Sequence, residues 1–116
     1  MPLVLTTKWS EAVLDEGYVA FPKRLIRAAR KLFSGPTGLE QLMVVLALVD
    51  YRRPNQLRFP SIGFLAFTAG IEPERFQERL NELVAAGYVQ TTGNRDALRY
   101  ELDGLYQAIV DNSDEA

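Results

Sequence analysis

The sequence predicts a mostly helical, α+β domain. Apolar residues recur at helical spacing through residues 22–33 and 37–53. A second stretch is punctuated by Ser61, Gly70, Pro73 and Gly87, residues that start, turn and stop helices. Short alternating segments then flank Gly93-Asn94, as in a β-hairpin. At 116 residues, 47% of them hydrophobic and 24% charged, the chain fits one globular core and no second one.

Before Tyr18, Trp9 and Val13-Leu14 fit either a short helix begun at Ser10 or an extended arm, so residues 1–16 are assigned as an N-terminal arm. From Pro22 an extra N-terminal helix is expected, with Leu25, Ile26, Ala29, Leu32 and Phe33 as its apolar stripe and Ser34-Gly35-Pro36 as its stop. Its other side carries Lys23, Arg24, Arg27, Arg30 and Lys31. Thr37-Gly38-Leu39-Glu40 has the spacing of a capping box, opening a second helix that runs to about Arg53 before Pro54. Between Leu42 and Val49 that helix is apolar nearly all round, which requires burial on more than one side, by neighbouring elements or by a subunit interface.

Gln56 to Pro60 reads as a short extended segment. Ser61 is placed to cap a helix over Ile62 to Ala69, and Gly70 supplies a turn through positive φ. Pro73 fits the first turn of the next helix, where Phe76, Leu80, Leu83 and Val84 form one stripe that stops at Gly87. Tyr88 to Thr91 and Leu98 to Leu102 alternate as strands, and Leu105-Tyr106 opens a short C-terminal helix. Strand, helix, tight turn, helix and hairpin in this order make a winged helix-turn-helix, with the hairpin as the wing. The domain is expected over residues 17–110, followed by an acidic, disordered tail at 111–116.

Composition narrows the chemistry. Without cysteine or histidine there is no Ser-His-Asp or Cys-His arrangement, no imidazole base near neutral pH, and no thiolate or imidazole metal site. Glu74, Glu78 and Glu82 recur every four residues along one helical face, the pattern of a solvated surface. No Gly-rich phosphate loop accompanies them. The expectation is a binding module, not an enzyme, with no catalytic residue, cofactor or metal. The longest apolar run falls far short of the roughly 18 residues of a membrane span, and residues 1–8 lack the basic head and cleavage site of a secretory signal. A cytoplasmic protein without membrane partners is therefore expected.

Charge is polarised along the chain. Residues 1–22 carry a net charge of −2, residues 23–58 a net charge of +6, and residues 59–116 a net charge of −6. The basic third can follow a nucleic-acid backbone or meet the acidic half of another copy, which makes self-association an expectation.

Gly17-Tyr18-Val19-Ala20-Phe21-Pro22, the Leu-rich helix, Phe59-Pro60-Ser61, the helix-turn-helix, and Tyr100-Glu101-Leu102 leading to Leu105-Tyr106 resemble the N-terminal domain of DnaD-type replication proteins. They are similar also to phage replisome organisers of the replication protein O type. The likeness covers about Gly17 to Ile109. It implies a role in DNA replication initiation or transcription regulation, with double-stranded DNA and protein partners and formation of an oligomer. DnaD-type proteins carry a second domain linked to DNA binding, and nothing that domain does is carried over here.

In helix-turn-helix proteins the start of the second helix normally faces base edges. Arg75 and Arg79 are the candidate readers of guanine and Gln77 of adenine. Arg95 at the wing tip and Ser61 at the start of the first motif helix are candidates for phosphate contact, as is the stripe Lys23, Arg24, Arg27, Arg30 and Lys31. Glu72, Glu74, Glu78 and Glu82 share the reading helix and oppose phosphates. The alternative is therefore a winged helix used for protein contact, with Arg75 to Glu78 and Arg79 to Glu82 as pairs within the helix. Phe64 and Phe67, three apart on the first motif helix, are expected in the core. Trp9 and Tyr106 either pack together or dock a partner.

Overall fold

The computed structural model describes residues 10–14, 21–51, 61–92 and 99–113. Trp9, Gly17 to Ala20, Arg52, Arg53, Gln56 to Pro60, the hairpin turn with Gly93, Asn94 and Arg95, Leu98 and the last three residues of the tail lie outside them. The described part is mostly helical with one small antiparallel sheet. Its elements are α1 (Lys23–Leu32), α2 (Gly38–Tyr51), α3 (Ile62–Ala69), α4 (Pro73–Ala85), β1 (Gln90–Thr92), β2 (Arg99–Glu101) and α5 (Asp103–Ser113). Residues 11–14 form a turn in which the Val13 amide donates to Ser10 Oγ at 3.2 Å.

Helix α1 starts after Pro22 and buries Leu25, Ala28 and Leu32. Ile26, expected on that stripe, is instead 60% exposed. It lies about 100° around the helix from Leu25, while Ala28 falls closer to the line through Leu25 and Leu32. Helix α2 buries Val44, Val45, Ala47 and Leu48. Its opposite side, through Leu42 and Leu46, is only half-buried, and Leu39 beside them is exposed. The expected capping box is rearranged: Thr37 Oγ1 accepts from the Gln41 side chain at 3.5 Å, and the Glu40 carboxylate reaches across to α4.

The stretch from Ser61 to Tyr88 follows its local signals closely. Ser61 Oγ accepts from the Phe64 amide at 3.3 Å and caps α3. Gly70 adopts φ 73°, and the Gly70 and Ile71 amides donate to Phe67 O and Ala66 O. Pro73 occupies the first turn of α4, where its missing N–H costs nothing. At the other end the Gly87 amide donates to Val84 O and the Tyr88 amide to Leu83 O, each at 3.0 Å. These are the paired bonds of a Schellman stop. Phe76, Leu80 and Leu83 are buried on one stripe of α4. Val84, expected beside them, remains 39% exposed at the stripe's edge.

Strands β1 and β2 pair with Thr91 opposite Tyr100. Only Tyr100 turns into the core from the paired residues, and Val89 and Leu102 are buried just outside the strands. Helix α5 is pinned at its start, where the Leu105 amide donates to Tyr88 O at 3.0 Å. A Cβ on Gly104 would collide with the Gly87 carbonyl oxygen, so the approach requires glycine.

Two packing groups share one core. Helix α2 packs against α3 and α4, which also pack on each other, and α1 packs along α5. Leu48, Leu65, Phe76, Leu80, Leu102 and Leu105 lie at the centre. The Phe33 and Tyr88 rings meet edge to face at 6.5 Å, joining the end of α1 to the turn after α4. No helix among the described residues is long and apolar enough to cross a membrane.

Candidate functional site

The outward side of α4 carries Glu74, Gln77, Glu78, Asn81 and Glu82, with Glu72 just before the helix. Gln77 Nε2 donates to Asn81 Oδ1 at 2.9 Å, so its amide is engaged along the same helix. The two arginines of α4 turn toward carboxylates. Arg79 has only 11% of its side chain exposed and lies 2.8 Å from Glu78, 3.5 Å from Glu82 and 3.8 Å from Glu40. Arg75 pairs with Glu40 at 3.0 Å and not with Glu78, because α2 brings a carboxylate of its own to that side. Gln41 Nε2 adds a 2.8 Å bond to Glu82 Oε1, so both ends of this network lie on α2.

The consequence is electrostatic. Each α4 cation is held within 4 Å of a carboxylate, and Glu74 and Glu72 are exposed beyond them. The outward potential of the helix is therefore negative, which opposes approach of a phosphate backbone. Buried Arg79 Nε makes no hydrogen bond, its approach to Glu82 at 3.5 Å being an ion pair.

The basic stripe divides into two parts. Arg24 Nη1 donates to Ser113 Oγ at 3.4 Å and Arg27 Nε to Ser113 O at 3.2 Å, both at the C-terminal end of α5. Cations there satisfy free carbonyls and oppose the negative end of the helix dipole. Lys23 and Arg30, three before and four after Ile26, lie toward the Ile26 side of α1, with Arg27 next to them around the helix. All five side chains of the stripe, Lys31 included, are exposed.

Ser61 is occupied as the cap of α3. Phe64 and Phe67 are not in the core: they are 51% and 76% exposed on the outer side of α3. Apolar residues fill nearly every position of Ile62 to Ala69, so spacing carries no phase, and Leu65 and Ala66 take the buried side. Sequence reasoning also missed Glu40 as the ion-pair partner of α4, because that contact exists only once α2 and α4 pack.

A further surface has no sequence signature. Phe21, Leu25, Ile26 and Ala29 line one wall and Leu42 and Leu46 the other of an open apolar groove between α1 and α2. Among the described residues no group of three or more His, Cys, Asp or Glu side chains is placed to hold a metal ion. No protein-family model matches this chain, and a search among curated proteins gives no match.

Proposed function

We propose that the chain is a winged helix-turn-helix module, of the replication-initiation or transcription-regulation type, that acts by protein contact on the acidic side of α4. The order of α3, the Gly70 turn, α4, the hairpin and α5 supports the winged-helix assignment. The observation that carries the function is the enclosure of Arg79 by Glu40, Glu78 and Glu82, with Arg75 drawn to the same Glu40. Residues that would read guanine are neutralised at home, and Glu72, Glu74 and Glu78 are presented instead. The fitting partner is a basic protein surface.

Titration with duplexes of different sequence across a salt series tests this. The expected result is no preference among sequences, with Glu74→Lys/Glu78→Lys raising affinity for all of them alike. A sequence preference that Arg75→Ala abolishes would overturn the reading.

One observation favours a second role. Lys23, Arg24, Arg27, Arg30 and Lys31 are exposed along about 12 Å of α1, a spacing suited to phosphates of double-stranded DNA. Binding of that kind is indifferent to sequence, falls with salt and is lost in Lys23→Glu/Arg30→Glu/Lys31→Glu.

A further inference from the structure

We propose that the groove between α1 and α2 receives the outer side of α5 from a second copy of this chain, so that copies join head to tail. This rests on the reading that the domain works by protein contact. The groove is lined by six carbon side chains, and Ile26 stands 60% exposed in its α1 wall. Leu39, one turn before Leu42 on α2, is 70% exposed and extends the apolar surface. Lys23 and Arg30 flank Ile26 on the outer edge, about 10.5 Å apart along the helix.

The outer side of α5 has the complementary pattern. Tyr106 and Val110, one turn apart, are 41% and 43% exposed. Asp103 precedes Tyr106 by three residues and Asp111 follows Val110, and the two lie about 12 Å apart along the helix and about 80° apart around it. Both are exposed, and Asp111 is steadied by a 2.9 Å bond from Gln107. An apolar pair with two anions beside it thus complements, in sign, an apolar groove with two cations beside it.

Other described surfaces match less well. Groove on groove would bring the Lys23 and Arg30 pairs of two copies together, and like charges oppose that contact. Phe64 and Phe67 project from a helix with no charged residue. The exposed side of α4 is acidic but offers only Val84 as a large apolar side chain. Nor does α5 reach its own groove. Arg24 and Arg27, which contact Ser113, are about 160° and 100° around α1 from Ile26, which lines the groove. The two surfaces therefore lie on different flanks, and a contact between them is heterologous, closing into a ring or continuing as a filament.

Sedimentation velocity of the full chain, without DNA, from about 5 to 500 μM at low salt tests the contact. Association that grows with concentration and weakens at 0.5 M salt is expected. Ile26→Glu and Val110→Lys each alter an exposed side chain and are expected to sediment as monomers. Their equimolar mixture retains one intact groove and one intact α5, so it is expected to form a dimer and nothing larger. Lys23→Glu/Arg30→Glu should likewise be monomeric, and adding Asp103→Lys/Asp111→Lys to it should restore assembly. Should the α5 charge change reduce the far-UV circular dichroism, the mixture of Ile26→Glu and Val110→Lys decides alone. A wild-type chain that is monomeric throughout, or a mixture that does not pair, overturns the proposal. Sequence-selective DNA binding, by contrast, overturns the proposed function while leaving these sedimentation results as they are.

Discussion

The Glu40 carboxylate on α2 lies 3.0 Å from the Arg75 guanidinium and 3.8 Å from that of Arg79, so one acid of the second helix holds both cations of the fourth. Arg75 is 61% exposed and its pair with Glu40 is screened by water, which makes it worth little. Arg79 is mostly covered, and its ion pairs are correspondingly stronger. A double-mutant cycle of Glu40→Gln with Arg79→Met, read by urea denaturation, is expected to give a coupling of about 0.5 to 1 kcal/mol. A coupling indistinguishable from zero would remove the Glu40–Arg79 pair from the network and leave Glu40 with Arg75 alone.

Phe76 and Phe67 offer a direct contrast, one fully buried in α4 and the other 76% exposed on α3. Phe76→Ala should lower stability by about 3 to 5 kcal/mol through lost burial and the cavity left behind. Phe67→Ala should stay within about 0.5 kcal/mol of the parent chain. Thermal melts of the two variants check this, and similar losses would mean that Phe67 is covered in solution.

Gly104→Ala places a methyl group against the Gly87 carbonyl oxygen. Either α5 or the turn after α4 must then shift, at a cost of about 1 to 3 kcal/mol typical of overpacking. Gly63→Ala, where an added Cβ meets only the Ser61 hydroxyl at 4.0 Å, is the control and should not destabilise. Equal stability of the two variants would contradict the close approach.

Burial raises the Tyr100 phenol above its ordinary range. The group favours its neutral form more strongly in the folded chain than in the unfolded one. Its contribution to stability is therefore complete below about pH 10 and is lost as pH rises toward the folded-state value. Denaturation curves from about pH 8 to 11 should show stability falling at the alkaline end, with a smaller slope in Tyr100→Phe. An identical slope in the variant would assign the fall to other groups.

The parts legible in the sequence are those decided by neighbouring residues. Ser61, Gly70, Pro73 and Gly87 each act within a turn or two of chain, so the bounds of α3 and α4 follow from them directly. The all-round apolar character of Leu42 to Val49 calls for burial on a second side, which the described residues supply only in part: Leu42 and Leu46 are half-buried and line the open groove beside α1. What escaped depends on tertiary placement. Glu40 had the spacing of a cap, and only packing brings two guanidinium groups to it. Phe64 and Phe67, expected in the core, are exposed, because a helix that is apolar at nearly every position gives spacing no phase to follow. The basic stripe read as a unit, yet Arg24 and Arg27 are bonded to Ser113, a partner that only the packing of α5 on α1 supplies.

Those two arginines join residues 89 and 86 positions apart, near opposite ends of the described chain. Contacts within α3 and α4 close short loops and form at little entropic cost, whereas the seam of α1 on α5 closes nearly the whole molecule. The first and last helices of the described chain are thus expected to dock late in folding, and each covers part of the other. Loss of either helix is therefore expected to expose apolar surface on the other, so that damage at one end of the fold is felt at the opposite end of the sequence.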